Sequence, residues 1–260
     1  MTRFDYGPDE IVEALRAAGV GRGDVVFSHA SVGLLGMPSC GCSASSVYGM
    51  WRDAFRAVVG EDGTWVHPTF SYSFCHGEDF DPLRTPGLCG VLSEEARRDG
   101  RAIRSEDANF SVAAIGARAD ELTRAPAPKS FGDNCFFARF QSLGGKFVNI
   151  NVHPATTFIH YVEAENAVPY RWHKPFHGRV LFNGRAEERT YWHFVYDLAI
   201  PDHAPDFGRF NAEAYRVGAA KDVPIGRGRL TCISAADTRA VVEDNLRKDI
   251  SFLLRGGFHG

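Results

Sequence analysis

A histidine and a glutamate three residues apart, His160 and Glu163, follow the apolar run Lys146 to Val152, which reads as a strand covered on both faces. A helix begins near Thr156 or Thr157, either of which can cap it. The spacing puts His160 and Glu163 on one helical face beside the end of a strand, where α/β proteins commonly build their sites. An imidazole titrates near neutral pH, and a carboxylate one turn away can orient it and stabilise its cation, so the pair suits general-base catalysis. The same pair also fits a hydrogen-bonded core histidine beside a solvated glutamate, and spacing alone leaves both readings open.

A second stretch, His29-Ala-Ser-Val-Gly-Leu-Leu-Gly36, consists mostly of small residues between a strand and a helix, where backbone amides can receive phosphate. It matches neither the dinucleotide fingerprint nor the phosphate-binding loop, so neither nicotinamide nor ATP is indicated. His153, His160, Glu163, His173 and His177 are of metal-ligand type, which keeps a zinc-dependent hydrolase as an alternative, although no H-E-x-x-H is present. A ligand-binding module without turnover is the other alternative. Cys40 and Cys42 form a C-x-C pair, a weak metal signal, and the six cysteines are expected to be free thiols.

The elements that must position these residues alternate. Residues 9–18 carry a helical stripe, 24–29 a short β-branched strand, and 45–59 a second helix with a serine start and Gly60 as its stop. A strand over 64–70 leads into a loop through Tyr72 and Asp81 and then a helix opened by Thr85-Pro86. Strands follow at 111–116 and 146–152. Two runs around Asn183-Gly184 predict a tight hairpin, and apolar spacing from Ser234 to Arg255 predicts a long terminal helix. The expected fold is α/β, a single domain over 1–260 with a central, mostly parallel or mixed sheet flanked by helices and a small β-hairpin in the C-terminal half.

A formal charge of −3 and the lack of a long Lys/Arg run argue against nucleic acid as a partner. No run of about 18 apolar residues occurs and the first residues do not resemble a signal peptide, so a cytoplasmic protein without membrane contact is expected. A homodimer is the base-rate expectation for its assembly.

An ordered set of short motifs spans nearly the entire chain. Gly23-Asp-Val-Val-Phe-Ser-His-Ala-Ser31 with Gly36, Gly63-Thr-Trp-Val-His-Pro-Thr-Phe-Ser71, Phe80-Asp81-Pro82, Arg104-Ser105, Ser111-Val-Ala-Ala-Ile-Gly116, and Thr157-Phe-Ile-His160 with Glu163 follow one another. Together they resemble the aminoglycoside 3-N-acetyltransferase family, the last of them its T-x-x-H-x-x-E signature. The resemblance implies an antibiotic N-acetyltransferase-like fold that uses acetyl-CoA or another acyl-CoA and no metal. It implies His160 as the base with Glu163 behind it, and His29, Ser31, Gly33, Leu34, Gly36, Thr69, Ser71 and Ser111 along the cofactor cleft. An amine is protonated at neutral pH and cannot attack a thioester until His160 removes that proton; backbone amides would stabilise the oxyanion, and no acyl-enzyme is required.

On the substrate side, Tyr72, Asp81, Asp107, Tyr170 and Trp172 are the expected contacts. The family carries His-Pro after its Arg-Ser pair, where this chain has Glu106-Asp107-Ala108, with Asp107 at the histidine position. The aromatic stretch Val168-Pro-Tyr-Arg-Trp-His173 could stack on or pair with a nucleotide diphosphate through Tyr170, Arg171 and Trp172. The expected acceptor is therefore the small-molecule amine of an amino sugar, nucleotide-linked, with aminoglycoside modification conferring antibiotic resistance as the alternative.

Overall fold

Val25, Val26 and Phe27 form a strand buried along its whole length, and the rest of the protein is arranged around it. A computed structural model describes residues 4–182 and 185–258. The helices are α1 (Pro8–Ala17), α2 (Ala44–Val59), α3 (Val91–Arg98), α4 (Ala119–Thr123), α5 (Phe136–Ser142), α6 (Phe158–Glu165), α7 (Gly208–Arg216) and α8 (Ala235–Leu246). The strands are β1 (Val25–Phe27), β2 (Thr64–Pro68), β3 (Ile103–Arg104), β4 (Val112–Gly116), β5 (Lys146–Ile150), β6 (Trp172–Phe182), β7 (Arg185–Val195), β8 (Lys221–Ile225) and β9 (Gly228–Ser234).

Seven strands make one mixed sheet in the order β3-β4-β2-β1-β5-β9-β8. β1 pairs in parallel with β2 and with β5, and the outer pairings are antiparallel. Successive side chains of a strand point to opposite faces, and the core divides accordingly. Val25, Phe27, Val66 and Phe147 meet α4, α5, α6 and α8 on one face, while Val26, Trp65 and Val148 meet α1, α2 and α3 on the other. A strand apolar at every position therefore serves both layers, as its composition anticipates.

β6 and β7 form a separate long hairpin in register from Trp172↔Val195 to Phe182↔Arg185; the Asn183-Gly184 turn lies outside the described residues. The hairpin is fastened to the body by backbone bonds, Leu181 N–H to Phe80 O at 2.7 Å and Trp192 N–H to Pro128 O at 2.7 Å. Its underside buries Val180 and Tyr191 against Phe74 and Phe80. Gly178 lets the Phe74 ring lie on the strand, since a Cβ there would come within 2.6 Å of the ring.

Two expected elements differ. No helix opens at Thr85-Pro86, because the Asp81 carboxylate accepts the Leu83 and Arg84 N–H groups and Thr85 Oγ1 accepts that of Asp81, which closes a turn; α3 begins only at Val91. The terminal helix is properly capped by Ser234, whose Oγ accepts the Asp237 N–H at 2.9 Å, but it ends at Leu246. Beyond it Asp249 turns the chain by accepting the Ser251 N–H and pairing with Arg209, and Leu253 and Leu254 reach the core from that turn. All six cysteines are unpaired thiols, and among the described residues no helix is long and apolar enough to cross a membrane.

Phe27 is fully buried and packs against Phe136, Phe137, Phe140 and Phe147. Phe27→Ala is expected to cost about 3–5 kcal/mol of stability, the range for aromatic truncation in a core that relaxes only partly, measured as a fall in the urea midpoint at unchanged slope.

Candidate active site

Because β1 and β5 are adjacent and parallel, the loops that leave their ends emerge side by side, one carrying His29 and the other leading to α6. Asn149, fully buried on β5, ties them together: its side-chain oxygen accepts the His29 N–H at 3.3 Å and its amide donates to the His153 carbonyl at 2.6 Å. α6 then starts without a threonine side-chain cap. Thr157 stands at the N-cap position in helical conformation, and Thr156 Oγ1 is buried without a hydrogen-bond partner.

His160 and Glu163 share one face of α6, with His160 Nδ1 2.5 Å from Glu163 Oε2. The Glu163 side chain is 1% exposed, and a carboxylate so deep in the protein is costly unless it is compensated. Compensation comes from three sides: His160, the Tyr170 hydroxyl donating to Oε1 at 2.9 Å, and the Arg171 guanidinium, whose Nε lies 3.2 Å from Oε2. Burial pushes the Glu163 carboxyl up, but these partners outweigh it and hold it below the usual range. Burial raises the Tyr170 phenol, as does the Glu163 charge, so Tyr170 remains a donor. For His160, burial lowers the basicity and the Arg171 charge lowers it further, against the raising influence of Glu163. The ring is therefore neutral at pH 7, with Nδ1 held by the carboxylate and Nε2 left to act.

His160 and Thr157 stand at the junction of two cavities. One, of about 360 Å³, lies over the strand ends and is lined by His29, Ala30, Cys89, Thr156 and Phe207 besides these two. The other, of about 730 Å³, lies between α6 and the hairpin, with Tyr72, Phe110, Arg171, Trp172, Lys174 and His193 among its walls. A neutral imidazole backed by a carboxylate and set between two clefts is equipped to take a proton from a group in one cleft while a reacting partner enters from the other.

The remaining expected residues are distributed unevenly. His29 lines the smaller cavity, with Nε2 buried and unpartnered and its basicity pushed down to about 4 by burial. Tyr72 and Trp172 line the larger one. Ser31, Gly33 and Leu34 lie in the loop after β1 without lining either cavity, Leu34 exposed; Gly36, at φ +93°, closes on Asp5. Thr69 and Ser111 are fully buried, bonded to each other and to Arg104, where they lock the ends of β2 and β4 together. Ser71 Oγ donates to the Ala108 carbonyl. Asp81 caps its turn, and Asp107 is buried under Ser130, accepting the Asn109 and Phe110 N–H groups. Neither carboxylate lines the larger cavity, and Tyr170 serves Glu163 from behind it. Arg171 enters the site by pairing with Glu163; His193, Lys174 and Phe207 carried no signal in the sequence. The suspected metal ligands do not converge: His177 bonds Thr190 on the hairpin, and among the described residues no three His, Cys, Asp or Glu side chains are placed to hold a metal ion.

A family model described as aminoglycoside 3-N-acetyltransferase matches residues 29–247. The chain belongs to that family. Aminoglycoside N(3)-acetyltransferase VII of Streptomyces paromomycinus is 28% identical over 248 residues, covering 86% of this chain and 83% of that protein. The solved structure of AAC-IIIb in a binary complex with CoASH superimposes with a TM-score of 0.79 at 22% identity over 98% of each chain. A mutant of AAC(3)-IVa in complex with a gentamicin does so with a TM-score of 0.75 at 25% identity, covering 96% of this chain and 92% of that one. The acetyltransferase fold expected from the sequence is thus present, and the reaction class is N-acyl transfer.

Glu163 is the group that raises His160 while burial and Arg171 lower it, so Glu163→Gln leaves only the lowering influences. The acid limb of the acetyltransferase's kcat/KM profile is expected to move to lower pH, and the plateau to fall by about 10²-fold or more as the ring loses its orientation. A limb that moved to higher pH would contradict the arrangement.

Proposed function

We propose that the protein transfers the acetyl group of acetyl-CoA to an amine of an aminoglycoside or kindred amino sugar, with His160 as general base and Glu163 as the group that orients it. The observation that carries this reading is the position of the neutral His160 ring at the junction of two cavities. The smaller cavity suits the thioester arm: it lies at the end of β1 beside His29 and Ala30 and presents two buried polar atoms without partners, His29 Nε2 and Thr156 Oγ1. When bound there, acetyl-CoA supplies the activated acyl group. The larger cavity then receives the acceptor. His160 Nε2 removes the ammonium proton so that the nitrogen lone pair can attack the thioester carbonyl; the C–S bond breaks, the CoA thiolate departs and takes the proton back from the imidazolium, which Glu163 steadies in the meantime.

Tyr170 and Arg171 hold the carboxylate in place and are positioning residues. Burial keeps the thiols lining the cavities protonated, Cys75 and Cys89 both pushed up to about 11, so direct transfer is favoured over an acyl-cysteine route. The acceptor expected first, a nucleotide-linked amino sugar, gains no support from the relatives' names, which favour the aminoglycoside alternative.

Thiol release from acetyl-CoA in the presence of an aminoglycoside panel tests the proposal. His160→Ala is expected to lower kcat by roughly 10²–10⁴-fold, the usual share of a general base, while CoA still binds. Turnover unchanged in that variant would overturn the assignment of the base.

A further inference from the structure

The C-x-C pair has no part in acyl transfer. Cys40, Cys42 and, shortly before them, Met37 line neither of the two cavities at His160, yet the structure brings these three sulfur-bearing side chains together ahead of α2. Cys42 Sγ lies 3.4 Å from Met37 Sδ. Cys40, separated from Cys42 only by Gly41, is near enough for the Cys42 charge to add to the burial that opposes its ionisation. Both thiols are exposed, and Met37 is 40% exposed, which is unusual for a large apolar side chain.

The backbone that carries them is fixed from both sides. Residues 37–39 lie along the segment before α1: the Asp5 N–H donates to the Met37 carbonyl at 2.8 Å, the Ser39 N–H donates to the Tyr6 carbonyl at 2.9 Å, and Tyr6 and Pro38 form a parallel bridge. On the other side Ser43 caps α2, its Oγ accepting the Ser46 N–H at 3.2 Å. Between these anchors the chain turns at Gly41, whose N–H donates to the Pro38 carbonyl at 3.3 Å and whose φ of +82° glycine adopts without strain. With the backbone held, only exposed side-chain rotamers have to adjust around a ligand, which keeps the ordering cost of binding small.

The donor set decides what the loop can hold. Thiolates and a thioether are soft ligands and suit Cu(I). Zinc also takes thiolates, but a closed zinc site needs four ligands drawn from Cys, His, Asp and Glu, and among the described residues no three such side chains are placed to hold one ion. Asp5, the carboxylate that reaches this loop, is engaged by the Met37 N–H at 2.7 Å and by Arg227 at 3.1 Å. The third donor is therefore the Met37 thioether, and the set consists of sulfur alone.

We propose that Met37, Cys40 and Cys42 form a binding site for a soft monovalent cation, Cu(I), separate from the acetyltransferase site. Each thiol gives its proton to solvent as its bond to the ion forms, the copper stays Cu(I) throughout, and the affinity rises with pH because two protons leave.

The test uses the intact, reduced protein without oxygen, with Cu(I) supplied as its bicinchoninate complex and uptake followed as the loss of that complex's absorbance. One ion per chain is expected, bound more tightly as pH rises. Cys40→Ser and Cys42→Ser should each weaken binding by at least about 100-fold and Met37→Leu by about tenfold, since even groups behind a metal's ligands commonly cost about 10- to 100-fold. Cys75→Ser and Cys89→Ser should leave it unchanged. All three site positions are exposed, so the urea midpoint of these variants should match that of the native protein. X-ray absorption at the copper edge should show only sulfur at bonding distance. Uptake that survives Cys40→Ser and Cys42→Ser together, one ion shared by two chains, an affinity unmoved by Met37→Leu, or nitrogen or oxygen neighbours at the copper would overturn the site.

Discussion

Glu163 has been carried into the protein on α6 to 1% exposure, and a charge in that position is tolerated only with partners that meet both of its oxygens. His160 and Arg171 take one oxygen and Tyr170 the other. Tyr170 and Arg171 lie at the start of the hairpin and His160 on the helix, so meeting one charge draws the helix and the hairpin together. The space left between them is the larger cavity.

The opposing influences on His160 are set by the same arrangement. Burial and the guanidinium depress its basicity while the carboxylate restores part of it, and the outcome is a ring that is neutral near pH 7 yet still has a carboxylate to stabilise its cation. An imidazole with burial alone would be a poor base, as His29 illustrates at about 4; His193, lowered by burial and further by His160, Arg171 and His173, falls to about 3. What separates His160 from these neighbours is the carboxylate behind it, since each of the three packs against aromatic rings.

The helix-strand alternation and the pairing of His160 with Glu163 were legible because both rest on short spacings: two residues along a strand and three along a helix. β1 could be recognised as a buried strand from Val25-Val-Phe27 alone. The antiparallel strands β8 and β9 were not, because their pairing is decided by the room beside β5 and their runs include Pro224 and Gly228, which weaken the strand signal. Position in a motif also failed to separate cavity residues from the residues beneath them. Thr69 and Ser111 stand in the right segments but spend their hydroxyls on each other and on Arg104, and Asp107 spends its carboxylate on backbone N–H groups. Whether a polar side chain faces a cleft or a neighbour depends on contacts across the chain, which no local spacing encodes. The hairpin side chains His193 and Lys174 were hidden for the same reason: they share a cavity with His160 because β6 and β7 are fastened at Phe80 and Pro128.

That fastening separates two tasks. His160 and the small cavity stand at the ends of parallel strands in the middle of the sheet, where Asn149 fixes one loop against the other and where movement would disrupt both core layers. Walls of the larger cavity stand on a hairpin that meets the body through its backbone fastenings, a small apolar cluster and Phe194, which enters the main core. Trp172, Lys174 and Phe176 occupy alternate positions on β6, so they share one face of it, while His173 between them packs on Phe194. A change at exposed Lys174 can therefore alter the wall of the larger cavity while Glu163, His160 and the sheet beneath them stay as they are. Arg171 has no such freedom, since it pairs with Glu163 and stands in the wall of the larger cavity at once.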